Sequence, residues 1–229
     1  MSHFSVAVLH KPDQDIETLL APYDENLQVE PYISYTRQEA IDYAREHFPS
    51  CKDASDEECW ANMAEDAKTD AEGNILSEYN PSSKWDWWSV GGRWKGMLKT
   101  ANGMADIAFV RDVDFSIDEN VRKSALRYWD VVVDGKPREP GEDFFSLYKP
   151  EYYREFYGDR ETYARYRSQF STYAVVTPDG VWHEKGRMGW WAMSSETPEE
   201  ARDWEEHYQE RFLDHQDEDL LITIVDCHI

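Results

Sequence analysis

The strongest apolar run in the chain, Leu220, Leu221, Ile222, Thr223, Ile224 and Val225, lies within its last ten residues. A short run rich in β-branched residues and bounded by polar ones predicts a buried, central strand, so a sheet has to be built around it. Residues 3–9 alternate and end apolar, with Phe4, Val6, Val8 and Leu9, which predicts a second, half-buried strand. Helices lie between them. Thr36 followed by Glu39, and Ser55 followed by Glu58, are capping boxes, and Pro49 separates them, so residues 36–69 read as a helical hairpin. Thr197, Pro198 and Glu200 open a helix to about residue 214, with Trp204, Tyr208 and Phe212 on one face.

Turn chemistry supplies the remaining elements. Asn102-Gly103 predicts a hairpin into 104–110, Asp134-Gly135 closes a strand at 131–133, and Pro178-Asp179-Gly180 joins 173–177 to 181–184. Residues 70–84 read as loop, and 141–171, dominated by Tyr, Phe, Arg and Glu, as a helical insertion. Strand, helices, hairpins, helix and final strand in that order predict a single α+β domain over 1–229. Its expected core is a ferredoxin-like split βαβ unit with an antiparallel sheet and a helical hairpin, elaborated at 99–171.

Charge narrows the function classes. Lys and Arg number 24 against 47 Asp and Glu, a net charge of −23, which argues against coating duplex nucleic acid, since phosphate neutralisation needs a basic surface. Disorder is excluded by 10 Trp, 14 Tyr and 9 Phe, because acidic disordered chains are poor in aromatics. No window is long and apolar enough for a membrane helix, and the apolar stretch at 4–9 is too short for a secretory signal. Three cysteines cannot all pair, which favours a reducing compartment. The expected setting is cytoplasmic.

Three groups of residues can carry chemistry. Trp85, Asp86, Trp87, Gly91, Gly92, Arg93 and Trp94 combine aromatic faces, glycines able to form an anion nest, and a planar guanidinium. Gly186, Arg187, Gly189, Trp190 and Trp191 repeat the theme, so the two segments are expected to line one pocket, with His183 close by. In a ferredoxin-like sheet the first and last strands are antiparallel neighbours. That places His3 beside His228 and Asp226, with Cys227 on the opposite face, a set suited to a divalent metal or to acid–base work. His47, Cys51 and Cys59 have zinc-compatible spacing but lack a second half-site. His207 and His215 read as solvated. Nucleophile-elbow, Walker, dinucleotide-binding, zincin and EF-hand motifs are absent from the sequence.

The opening Ser2, His3, Phe4, Ser5 and Val6, the block Trp85, Asp86, Trp87 … Gly91, Gly92, Arg93, Trp94, and the closing Asp226, Cys227, His228, Ile229 resemble a family of bacteriophage and prophage proteins of no established activity. The likeness runs from end to end and is weakest at about 115–170. It implies a phage accessory protein acting inside a bacterial cell, of a kind that interferes with host defence.

Three roles follow as expectations. The first is capture of a small anionic, nucleotide-like ligand by the Trp, Gly and Arg segments. The second is an acidic surface that imitates nucleic acid and occupies a host protein. The third is a metal-dependent enzyme using His3, His183, Asp226 and His228. A membrane partner is not expected, and a homodimer through an aromatic sheet face is.

Overall fold

The computed structural model describes residues 2–189, 193–214 and 219–229. In chain order the elements begin with β1 (His3–His10), α1 (Ile16–Leu20), β2 (Tyr32–Tyr35), α2 (Arg37–His47) and α3 (Asp56–Ala64). Next come β3 (Lys68–Thr69), β4 (Ile75–Ser77), β5 (Trp87–Val90), β6 (Leu98–Thr100), β7 (Gly103–Ala105) and β8 (Ile107–Phe109). Helices α4 (Glu119–Val132), α5 (Pro150–Tyr157) and α6 (Arg160–Ser168) follow, then β9 (Ala174–Val176), β10 (Trp182–Glu184), α7 (Pro198–Phe212) and β11 (Leu221–His228). The chain is α+β. It divides into a compact unit of Met1–Ala21 with Lys84–Ile229 and a second of Pro22–Ser83.

The larger unit is built on a sheet of order β10-β9-β1-β11-β5, with β8 also paired to β11. β1 and β11 run antiparallel in unbroken register from His3 opposite His228 to His10 opposite Leu221. β11 is central, as its apolar run predicts. β1 is buried along nearly its whole length rather than on one face, and it lies between β11 and β9. Its polar residues are satisfied internally: Ser5 Oγ accepts from the Tyr173 amide at 3.2 Å, and His10 Nε2 meets Thr223 Oγ1 at 2.9 Å. Trp204, Tyr208 and Phe212 of α7 pack on Ala7, Leu9, Ile222 and Ile224, closing one face of the sheet into a core.

Two expectations are corrected. The β1–β9 pair is parallel, so the sheet is mixed and not the wholly antiparallel ferredoxin-like one. Parallel neighbours need a long crossover, and the chain between β1 and β9 supplies it. Residues 131–133 belong to α4 and its cap, not to a strand. Ala125, Trp129 and Val133 recur at helical spacing and are buried together, and Gly135, at φ +68°, follows the helix end. The other two hairpins form: β6 pairs with β7 across Asn102-Gly103, and β9 with β10 across Pro178-Asp179-Gly180.

In the smaller unit both capping boxes are present at the starts of α2 and α3. Cys51 and Cys59 are buried against Ile41 and Ala44, and the Cys59 thiol donates to the Cys51 carbonyl. His47 stacks instead on Tyr43, at 4.1 Å between centroids, and donates to its carbonyl. The 70–84 stretch contributes β4, which lies between β2 and β3. Among the described residues, no helix is long and apolar enough to cross a membrane.

Candidate functional site: paired histidine–aspartate contacts at the strand ends

Residues directly opposite one another in an antiparallel ladder share a face. His3 of β1 stands opposite His228 of β11, and His228 stands opposite Trp87 of β5. Three strands thus bring three rings together. The two imidazoles cross at 75° with centroids 5.0 Å apart, and Trp87 lies 15° from parallel to His228 at 5.1 Å. Trp87 also meets His3 edge-on at 5.4 Å.

Each imidazole is held by its own carboxylate. His3 Nδ1 donates to Asp226 Oδ1 at 2.8 Å, and His228 Nδ1 donates to Asp86 Oδ1 at 2.7 Å. A carboxylate can only accept, so Nδ1 carries the proton in both rings and Nε2 is the free lone pair of the neutral form. His228 Nε2 is buried and has no hydrogen-bond partner among the described residues, and its side chain is only 8% exposed. A buried polar atom left unmatched is costly, and in a native structure it needs an explanation.

The turn after β5 supports the carboxylates. The Arg93 amide donates to Asp226 Oδ2 at 3.0 Å, while the Gly96 amide donates to Asp106 Oδ1 at 2.5 Å. Gly92 has φ +49°, and a Cβ there would overlap Asp226 Cβ. Gly91 has φ +71°, and a Cβ would stand 2.7 Å from Asp106 Oδ2. The amides that meet carboxylates are therefore those of Arg93 and Gly96, on the chain's own Asp226 and Asp106, while the Gly91 amide donates to the Ile224 carbonyl. Asp86 is further fixed through its amide, which donates to the His228 carbonyl at 2.9 Å.

The other expected site residues separate. Trp85 is buried and Trp94 packs on the core, whereas Trp87 is 43% exposed. The Arg93 side chain is exposed, and among the described residues its guanidinium makes no ion pair. His183 lies on β10, two strands from β1, against Phe212 at 5.3 Å, and does not join the histidine pair. Trp190 and Trp191 lie outside the described residues. Cys227 occupies the opposite face, where burial pushes its thiol far up and keeps it inert. Asp106 was invisible to sequence reasoning, since an isolated aspartate after a hairpin carries no signal.

As a metal centre, the trio His3, Asp226 and His228 is poorly disposed, because Asp226 already accepts from His3 and from the Arg93 amide. Among the described residues, no group of three or more His, Cys, Asp or Glu side chains is arranged to hold a metal ion. Comparisons of the chain with protein-family models, with curated proteins and with solved structures found no match.

Proposed function

We propose that the strand ends of β1, β11 and β5 form an acid–base site acting on a small anionic, nucleotide-like ligand. The observation that carries the reading is the pair of aspartate-held imidazoles, 5.0 Å apart, with a buried Nε2 on His228 that has no partner among the described residues. Two such rings can divide the work, one Nε2 taking a proton from a nucleophile while the other gives one to a leaving group. The carboxylates fix ring orientation and tautomer and stabilise the imidazolium that forms, as in any histidine–aspartate couple. Trp87 offers a stacking surface for a base, and Arg93 in the adjoining turn offers a guanidinium for a phosphate. The resemblance to phage proteins supplies the setting of the proposal, an accessory protein in the bacterial cytoplasm whose ligand is a nucleotide of the host or of its defence.

The test is 31P NMR of AMP and of a 2′,3′-cyclic nucleotide incubated with the protein, alongside the imidazole signals of His3 and His228. Turnover of the cyclic ester should follow a bell-shaped pH profile and fall about 100-fold or more in His228→Gln, with a smaller loss in Asp86→Asn. Both variants should retain the native circular dichroism. If neither compound is turned over and neither perturbs the two imidazoles, the reading is wrong.

A further inference from the structure

Away from the strand ends, α4, α5, α6 and the segment joining α4 to α5 line an open cavity of about 450 Å³. This falls in the range of small-molecule pockets, roughly 300–1,000 Å³. Its walls are mostly phenol rings, among them Tyr128, Tyr148, Tyr152, Tyr153 and Tyr163. Several lie nearly parallel: Tyr148 and Tyr152 stack at 4.2 Å, and Tyr128 and Tyr163 at 5.8 Å. A plain hydrophobic core would not need so many hydroxyls. Tyr128 and Tyr153 satisfy theirs with each other at 2.8 Å, and Ser146 adds a contact to Tyr153 at 2.9 Å. Tyr163 differs. It is 7% exposed and lines the cavity, yet among the described residues its hydroxyl has no hydrogen-bond partner.

The charge at the cavity is equally specific. In a chain with 47 carboxylates and 24 cations, free arginines should be scarce near structured acidic residues. Arg122, Arg127, Arg138, Arg154, Arg160 and Arg165 are all ion-paired. Arg167, on the cavity wall, has no carboxylate partner among the described residues. Burial pushes the phenols of Tyr153, Tyr157 and Tyr163 up, Tyr157 to about 12; the Arg167 charge opposes this at all three, while Glu205 adds to it at Tyr157 and Glu196 at Tyr152. The guanidinium therefore stands close to the phenols that ring the cavity.

We infer that this cavity binds a small planar aromatic compound carrying one anionic group. The ring continues the tyrosine stacks, and the anion takes the free guanidinium together with the Tyr163 hydroxyl. A cationic guest, which aromatic walls alone would suit, is repelled by Arg167. A neutral one leaves the cation unmatched. The inference stands apart from the acid–base reading and does not rest on it.

Isothermal titration of the full chain with phenyl phosphate and benzoate, against phenol and benzyl alcohol, tests it. The anions should bind saturably and the neutral compounds at least tenfold more weakly. Arg167→Gln, at an exposed position without a carboxylate partner among the described residues, should weaken anion binding at least tenfold. Tyr163→Phe, which keeps the ring, should weaken it severalfold. Equal affinity for neutral and anionic compounds, equal binding by Arg167→Gln, or no saturable binding of either anion would each overturn the inference.

Discussion

Gly92 shows how closely the histidine site is built at the level of single atoms. Its positive φ and the absence of a side chain let the Arg93 amide reach Asp226, which in turn holds His3. Gly92→Ala adds a methyl that overlaps the Asp226 side chain in a backbone region costly for alanine. The expected loss is about 2 kcal/mol of stability, together with a changed His3 environment. Urea denaturation and the His3 imidazole signals check both, and an unchanged His3 signal would mean that the turn does not position Asp226. At this scale much of the site was legible. His3, Asp86, Asp226 and His228 stand out chemically, and adjacent first and last strands bring three of them together. The aromatic block was legible only in kind, because a run of tryptophans does not say which ring is core. Trp85 is buried and Trp94 packs partly buried on the core, whereas Trp87 is left exposed at a place in register with His228.

Among the elements, the capped helices and the β1–β11 pair were read correctly, whereas the parallel β1–β9 pair and the end of α4 were not. The capping boxes of α2, α3 and α7 are all formed, because a hydroxyl and a carboxylate three residues apart satisfy each other without help from the rest of the fold. The parallel β1–β9 pair carries no such signal. In α4 the apolar residues 131–133 imitate a strand, and only their helical spacing to Ala125 and Trp129 reveals the stripe. The helical segment depends on charge as well as on tyrosine packing. Asp130 receives a two-pronged contact from Arg160, at 2.8 and 2.9 Å, and another from Lys136 at 2.7 Å. These bonds, Arg160 foremost, lower its pKa from 3.8 to about 2. Arg127 does the same for Glu142, which falls to about 2. A carboxylate depressed in the folded state stabilises fully above its unfolded pKa, and the contribution is lost as pH falls through the folded one. Asp130→Asn should therefore cost about 1 kcal/mol at pH 6, discounted for partial solvent screening. The gap to the parent protein should narrow below pH 4 and close near pH 2. Urea titrations at pH 6, 4 and 3 read this directly, and a gap independent of pH would show that Asp130 acts by packing alone.

For the molecule as a whole, the governing quantity is the net charge of −23. Local pairing is extensive around α4 to α6, but 24 cations cannot neutralise 47 carboxylates, so the folded state holds an excess of negative charge that the expanded chain would spread out. Salt acts on the two contributions in opposite directions: it screens the long-range repulsion and also weakens the exposed ion pairs. Exposed pairs are individually worth little, and repulsion summed over the surface scales with the excess, so repulsion should dominate. Raising sodium chloride from about 10 mM, where the Debye length is about 30 Å, to about 0.15 M, where it is about 8 Å, should stabilise the protein. A gain of about 1 kcal/mol corresponds to about 2–4 °C in Tm for a chain of this length. The same excess charge is the feature that a nucleic-acid-imitating role would present, and any partner bound through it should be released over the same range of salt. Differential scanning calorimetry at pH 7 across that range decides the intramolecular question. A Tm that rises identifies self-repulsion as the larger effect, whereas one that falls would show that the surface ion pairs hold the fold together more strongly than its excess charge strains it.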